Sequence, residues 1–181
     1  MNGKIVKILK ILEKYSIENL NFKNYFLAAG CLNQTIFNYY HNYDLDYGIE
    51  YYNIVYSDKD ISYESEDKII KDLTKRLNKF HLSFDIKNEK RVPIWYNKKY
   101  GTRRKEYLSV EDAIKRWGTI VTCIGVGFEN NKFKVFAPYG LNALFELIIK
   151  PLKIDFNEKE YQKKAYKWKA KWKNLKVMKY D

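Results

Sequence analysis

The chain has 181 residues, 46% of them hydrophobic and 31% charged, and carries a net charge of +12. That apolar share supports a packed core and excludes global disorder, and no apolar run nears the roughly 20 residues that span a bilayer. The surplus of positive charge favours polyanionic partners: nucleotides, nucleic acid or an acidic surface.

Met1 to Ser16 alternates lysine with isoleucine and leucine and lacks a compact apolar block, so it reads as an amphipathic helix rather than a signal peptide. Ile5, Ile8, Leu9 and Leu12 recur at helical spacing and predict a helix over 4–15. Tyr25 to Gly30 is a short apolar run ending at a glycine, followed by Leu32, Ile36, Phe37 and Tyr40 at helical spacing. Ile54-Val55-Tyr56 is a compact strand with β-branched residues. Ser62, with Glu64 and Glu66 behind it, opens a helix whose apolar face is Ile69, Ile70, Leu73 and Leu77. Leu82 to Ile86 alternates with period two and predicts another strand. The stretch 91–105 loosens around Pro93 and Gly101 and ends in Arg103-Arg104-Lys105, the pattern of an exposed basic loop.

Ser109 followed by Glu111 and Asp112 predicts a capped helix running to Trp117. Residues 119–128 and 132–137 predict a hairpin around Glu129-Asn130-Asn131, which tolerate positive φ. Pro138-Tyr139-Gly140 turns into a helix over 141–149, stopped by Pro151. The final helix, about 157–176, carries Tyr161, Ala165, Trp168, Trp172 and Leu175 on one stripe. From Glu158 to the C-terminus nine lysines face three acids, either a solvated helix face or a nucleic-acid contact. The expected fold is mixed α/β (α+β): one domain over 1–181 with a core at about 20–151, a short mixed sheet flanked by helices, and a lysine-rich C-terminal helix. Cys31 and Cys123 stand alone among apolar residues, as buried thiols of a cytoplasmic protein would.

Four stretches in this order carry more than fold class: Ala28 to Gln34 with Phe37 and His41; Ile54 to Asp58 with Asp60, Ser62, Glu64 and Glu66; Asp85 to Asn88 with Arg91, Trp95, Tyr107, Ser109, Asp112 and Trp117; and Ala137 to Leu141 with Leu144-Phe145. Together they resemble a small bacterial nucleotidyltransferase-like family of the polymerase-β-type superfamily. The resemblance implies a glycine after the first core strand, so that a helix N-terminus approaches a triphosphate. It also implies two acids one residue apart on a strand, with a third on a neighbouring strand, holding divalent ions that neutralise phosphates and activate a hydroxyl.

On that pattern Gly30 is the glycine and Asp85 the third acid and metal ligand. The acid pair falls at Tyr51 and Asn53, because Ile54 to Asp58 fixes the register. A one-residue slide brings in Glu50 but pairs it with Tyr52 and swaps every other side chain to the opposite face. Cys31, Asn33, Lys87 and Arg91 complete the implied nucleotide-binding set. Further departures are Asn33 in place of an arginine, Pro93 in place of a histidine and Thr119 in place of a glutamate. Tyrosine cannot replace a carboxylate and asparagine offers only a neutral carbonyl, so Mg²⁺ or Mn²⁺ binding is expected to be weak.

The leading expectation is a diverged nucleotidyltransferase-like protein that binds a nucleotide or other phosphate-bearing ligand near Gly30 and Asp85, with weak or absent transfer activity. An active enzyme recruiting Asp46 or Glu50 is one alternative, although an acidic loop explains Asp44, Asp46 and Glu50 more simply. A nucleic-acid or protein interaction module using the terminal lysines and the Arg103 loop is another. Plain structural accounts compete at single residues: a turn for Gly30, an edge acid for Asp85, packing for His41 and His81, and helix docking for Trp168 and Trp172.

Overall fold

The computed structural model describes residues 2–180. Met1, where the N-terminal helical reading starts, and Asp181, the last acid of the C-terminal count, lie outside them. Helix α1 (Gly3–Glu18) is capped by Asn2, whose side-chain oxygen accepts from the N–H groups of Lys4 and Ile5. There follow β1 (Asn24–Ala28), α2 (Gly30–Tyr40), β2 (Tyr52–Ser57), α3 (Tyr63–Leu77) and β3 (Phe84–Asn88). The second half holds α4 (Val92–Tyr100), α5 (Val110–Lys115), β4 (Gly125–Glu129), β5 (Lys132–Phe136), α6 (Asn142–Phe145), β6 (Ile148–Ile149), α7 (Glu158–Lys171) and β7 (Lys176–Val177). No helix is long and apolar enough to cross a membrane among the described residues.

Five strands form one mixed sheet in the order β3-β2-β1-β4-β5, and β6 and β7 form a separate parallel pair. Only β2 and β3 run parallel within the large sheet, because α3 carries the chain back between them. The alternation of side chains then divides the sheet into two unlike faces. Tyr52, Ile54 and Tyr56 join Tyr25 and Leu27 against Ile8, Leu9 and Leu12 of α1 and Ile69, Leu73 and Leu77 of α3, forming the main core. On the other face Phe26, Ala28 and Val55 pack under Val110 and Ile114 of α5. Toward β3 this second face turns polar, with Asn53, Asp85 and Lys87 on it, and there a cleft opens.

Several sequence expectations need correction. Of the stretch 91–105 only the part after Gly101 is the expected loop, with Arg103 and Lys105 exposed: Pro93 sits in the first turn of α4, where its missing N–H costs nothing, and Gly101 closes the helix at φ 63°. Arg104 is buried rather than solvated. The first hairpin arm begins only at Gly125, since Ile120–Thr122 coil into a 3₁₀ turn in which Thr122 Oγ1 donates to the Thr119 carbonyl at 2.7 Å. The helix expected over 141–149 ends at Phe145, where Leu147 at φ 58° reverses the backbone and releases β6. The terminal helix stops at Lys171, and Lys176–Val177 pair with Ile148–Ile149 instead.

Candidate functional site

The cleft is built where β1 hands over to α2. Ala29 holds φ 50° and ψ −119°, a conformation habitual for glycine, and turns the chain so that α2 starts beside β2. Gly30 then lies against β2 so closely that an added Cβ would meet Asn53 Oδ1 at 3.3 Å and Gln34 Nε2 at 3.1 Å. The positive end of α2 therefore reaches the cleft wall.

The parallel register pairs Asn53 of β2 directly with Asp85 of β3. Asn53 Nδ2 donates to Asp85 Oδ2 at 3.1 Å, and Lys87 Nζ donates to the same oxygen at 2.6 Å. Tyr51, one residue before β2 and 56% exposed, stands on the same side and also lines the cleft. The cavity is about 360 Å³, within the range that holds a small organic ligand. Its walls are largely aromatic: Trp95, Tyr96, Tyr107, Trp117, Phe156 and Trp168. Arg104 is clamped there with Cζ 3.4 Å from the Tyr96 ring centroid and 4.5 Å from that of Phe156, while its Nη2 donates to the Asp155 carbonyl at 2.9 Å. Helix α7 contributes Lys164 and Lys167 to the rim.

Of the residues the sequence nominates, Tyr51, Asn53, Asp85, Gly30 and Lys87 come together around this cleft. Cys31, Asn33 and Arg91 do not line it. Cys31 is buried on the inner side of α2, and burial pushes its thiol up to about 12. Asn33 is wholly buried, with both amide atoms lacking a partner among the described residues. Arg91 places Nε 3.0 Å from Glu66 Oε2, bracing the exit of β3 rather than the cavity.

The acids proposed as substitutes separate as well. Asp46 accepts from the Tyr52 hydroxyl at 2.8 Å, and Tyr52 points into the main core, away from Asn53. Glu50 does line the cleft, but Lys167 and Lys171 grip it at 2.8 and 3.0 Å and hold its carboxyl below the ordinary range. Among the described residues no group of three His, Cys, Asp or Glu side chains is placed to hold a metal ion. The donor set around Asp85 is one carboxylate with its Oδ2 already engaged, an amide and a phenol, which does not fit a divalent ion.

Glu89 is the functional candidate that the sequence reading passed over. It lines the cleft at 3% exposure, and its Oε2 has no partner among the described residues. Burial pushes its carboxyl up to about 8, with Asp85 and Glu66 adding to the rise and Lys87 and Arg104 opposing it. Strand period two joins Asp85 and Lys87 but stops at Asn88; Glu89 enters the cleft from the 3₁₀ turn that follows β3. Arg104 hid inside a basic run, and Lys164 and Lys167 inside a lysine-rich helix.

A helix N-terminus placed against a parallel strand pair, with polar side chains on one wall and aromatic walls opposite, defines an α/β protein with a cleft over β2 and β3. Residues 15–177 match a family described as Nucleotidyltransferase, and the chain belongs to that family. An NMR structure described as revealing a CCA-adding enzyme head domain shares the fold. It aligns at a TM-score of 0.75 and 23% identity, over 98% of this chain and 90% of that one. No curated protein matches.

Proposed function

We propose that the chain binds a nucleotide, or another ligand carrying phosphates, in this cleft, and transfers nucleotidyl groups weakly or not at all. One observation carries the reading: where the acid pair is expected, the cleft that holds Asp85 presents Asn53, whose amide donates to it, and Tyr51, which is a phenol. A reaction that depends on three carboxylates gripping divalent ions keeps one at these three positions, and Glu50 is taken up by Lys167 and Lys171, so the cleft offers such ions little free charge. What remains suits recognition. Aromatic faces accept a flat ring, and the α2 N-terminus with Lys87 and Lys164 favours phosphates.

The test is calorimetric titration with nucleoside triphosphates in Mg²⁺, Mn²⁺ or EDTA, alongside release of pyrophosphate from labelled triphosphate. Binding with little or no turnover is expected. Metal-dependent turnover abolished by Asp85→Asn would overturn the degenerate reading and favour a working enzyme. The double variant Tyr51→Asp with Asn53→Asp should gain Mg²⁺ binding, because Asn53 already meets Asp85 and Tyr51 lines the same cleft.

A further inference from the structure

We infer that Lys87 is the built-in cation of this cleft: its ammonium takes the place on Asp85 that a divalent ion would need, and it meets the ligand's phosphates directly. The inference rests on the cleft being a phosphate-ligand site, and it adds how charge is balanced there without a metal.

The strand period places Asp85 and Lys87 on one side of β3. Lys87 Nζ sits 2.6 Å from Asp85 Oδ2, the oxygen that also accepts from Asn53 Nδ2 at 3.1 Å. A metal seeking that oxygen would have to displace an ammonium and an amide together. The Lys87 side chain is about one-third exposed and its Nζ lies 5.8 Å from the Trp95 ring centroid, so the charge is held at the cavity wall rather than released to solvent. An ammonium has three N–H donors, and Asp85 is the one partner its hydrogen bonds show among the described residues. The others are left to face the cavity.

Charge balance agrees. Three carboxylates would repel a triphosphate until metal ions bridged them. Asp85 neutralised by Lys87, and Glu50 neutralised by Lys167 and Lys171, leave no such barrier. Glu89, the remaining acid of the cavity, is held largely uncharged at neutral pH by its burial. Lysine binds phosphate as a compact point charge and needs no fixed coordination geometry.

The experiment uses the full chain and two probes, ATP and terbium ion. ATP affinity is measured by calorimetry in EDTA and in Mg²⁺; terbium is measured by luminescence sensitised through Trp95. The wild type should bind ATP in EDTA at least as tightly as in Mg²⁺, and bind terbium negligibly. Lys87→Met should lose roughly tenfold or more of its ATP affinity in EDTA, the loss of one charge-assisted contact, and should gain terbium luminescence. Lys87→Arg, which keeps the charge, should retain most of the affinity and exclude terbium. A wild type that requires Mg²⁺ for ATP, or a folded Lys87→Met with unchanged affinity in EDTA, overturns the inference. If no triphosphate binds under any condition, the nucleotide reading fails. The terbium arm then still decides the placement of the cation: a gain in Lys87→Met upholds it, and no gain overturns it.

Discussion

At the scale of single residues, Ala29 bears the backbone cost of the site. Its φ of 50° with ψ of −119° is a conformation L-residues rarely adopt. It persists because the Ala29 N–H donates to the Ile124 carbonyl at 3.0 Å while its own carbonyl accepts from Leu32 and Asn33. Ala29→Gly removes the Cβ that makes the conformation costly. Strain of this kind is worth about 1–3 kcal/mol, against up to about 1 kcal/mol of extra unfolded-state entropy for glycine. The variant should therefore gain about 1 kcal/mol, read as a higher urea midpoint at unchanged slope; a loss of stability would show the bend is not strained. Glu89 gives a pH prediction. Its ordinary value is 4.5 and its folded value about 8. Between them the folded state holds a proton that the unfolded state has released, so this contribution to stability is complete below the lower value and drains away as pH rises through the upper one. Charged groups from three sides bear on it: Asp85 and Lys87 on β3, Glu66 on α3, and Arg104 after α4. Glu89→Gln keeps the shape without the titration. Its advantage over the wild type should grow between pH 5 and pH 9 by a few kcal/mol, since each tenfold difference in proton affinity between the folded and unfolded chain is worth about 1.4 kcal/mol. Urea melts at both pH values measure this, and parallel pH dependence in the two proteins would contradict it.

At the scale of elements, helix α7 shows what a side-chain stripe does. Trp172 is fully buried just past its end, donates Nε1–H to Asn38 Oδ1 at 2.6 Å, and packs its ring 5.7 Å from that of Phe37. Trp172→Ala should cost about 3–5 kcal/mol, since it opens a cavity and orphans Asn38. The same variant should weaken nucleotide binding, because the helix it anchors carries Lys164 and Lys167 to the rim. A variant that keeps wild-type stability would mean the helix docks without this ring. The docking was readable from Tyr161, Ala165, Trp168, Trp172 and Leu175 at helical spacing, as β2 was from its β-branched run. Helix α4 was not readable in the same way, because Pro93 and Gly101 look like loop punctuation when they are the first turn and the end of a helix. The β6–β7 pair joins residues far apart in sequence through two strands of two residues each, too short for any periodicity. In the site, strand alternation brought Tyr51, Asn53 and Asp85 to one face. Cys31, Asn33 and Arg91 came from the resemblance alone: Cys31 and Asn33 lie on the buried side of α2, and Arg91, in the 3₁₀ turn after β3, pairs with Glu66.

At the scale of the molecule, the net charge of +12 resolves into lysines with unlike duties. In the C-terminal segment, Lys167 and Lys171 grip Glu50, and Lys169 donates to the carbonyls of Lys173 and Leu175 at 2.6 Å. These three serve the docking of α7 at least as much as any partner. Lys164 differs, lining the cleft with its Nζ 5.1 Å from the Trp168 ring centroid. A polyanion drawn to this face would therefore approach the mouth of the cleft, and should compete with a triphosphate bound there as proposed. Titration of a labelled single-stranded oligonucleotide should give binding that weakens with salt by a log–log slope of about −0.7 for each phosphate contacted. Lys164→Glu should lower the affinity and flatten the slope, and excess ATP should displace the strand. If the strand binds with a steep salt slope that neither Lys164→Glu nor ATP alters, the polyanion surface lies elsewhere on the chain. If it does not bind even at low salt, the surplus of lysine serves solubility and helix docking alone.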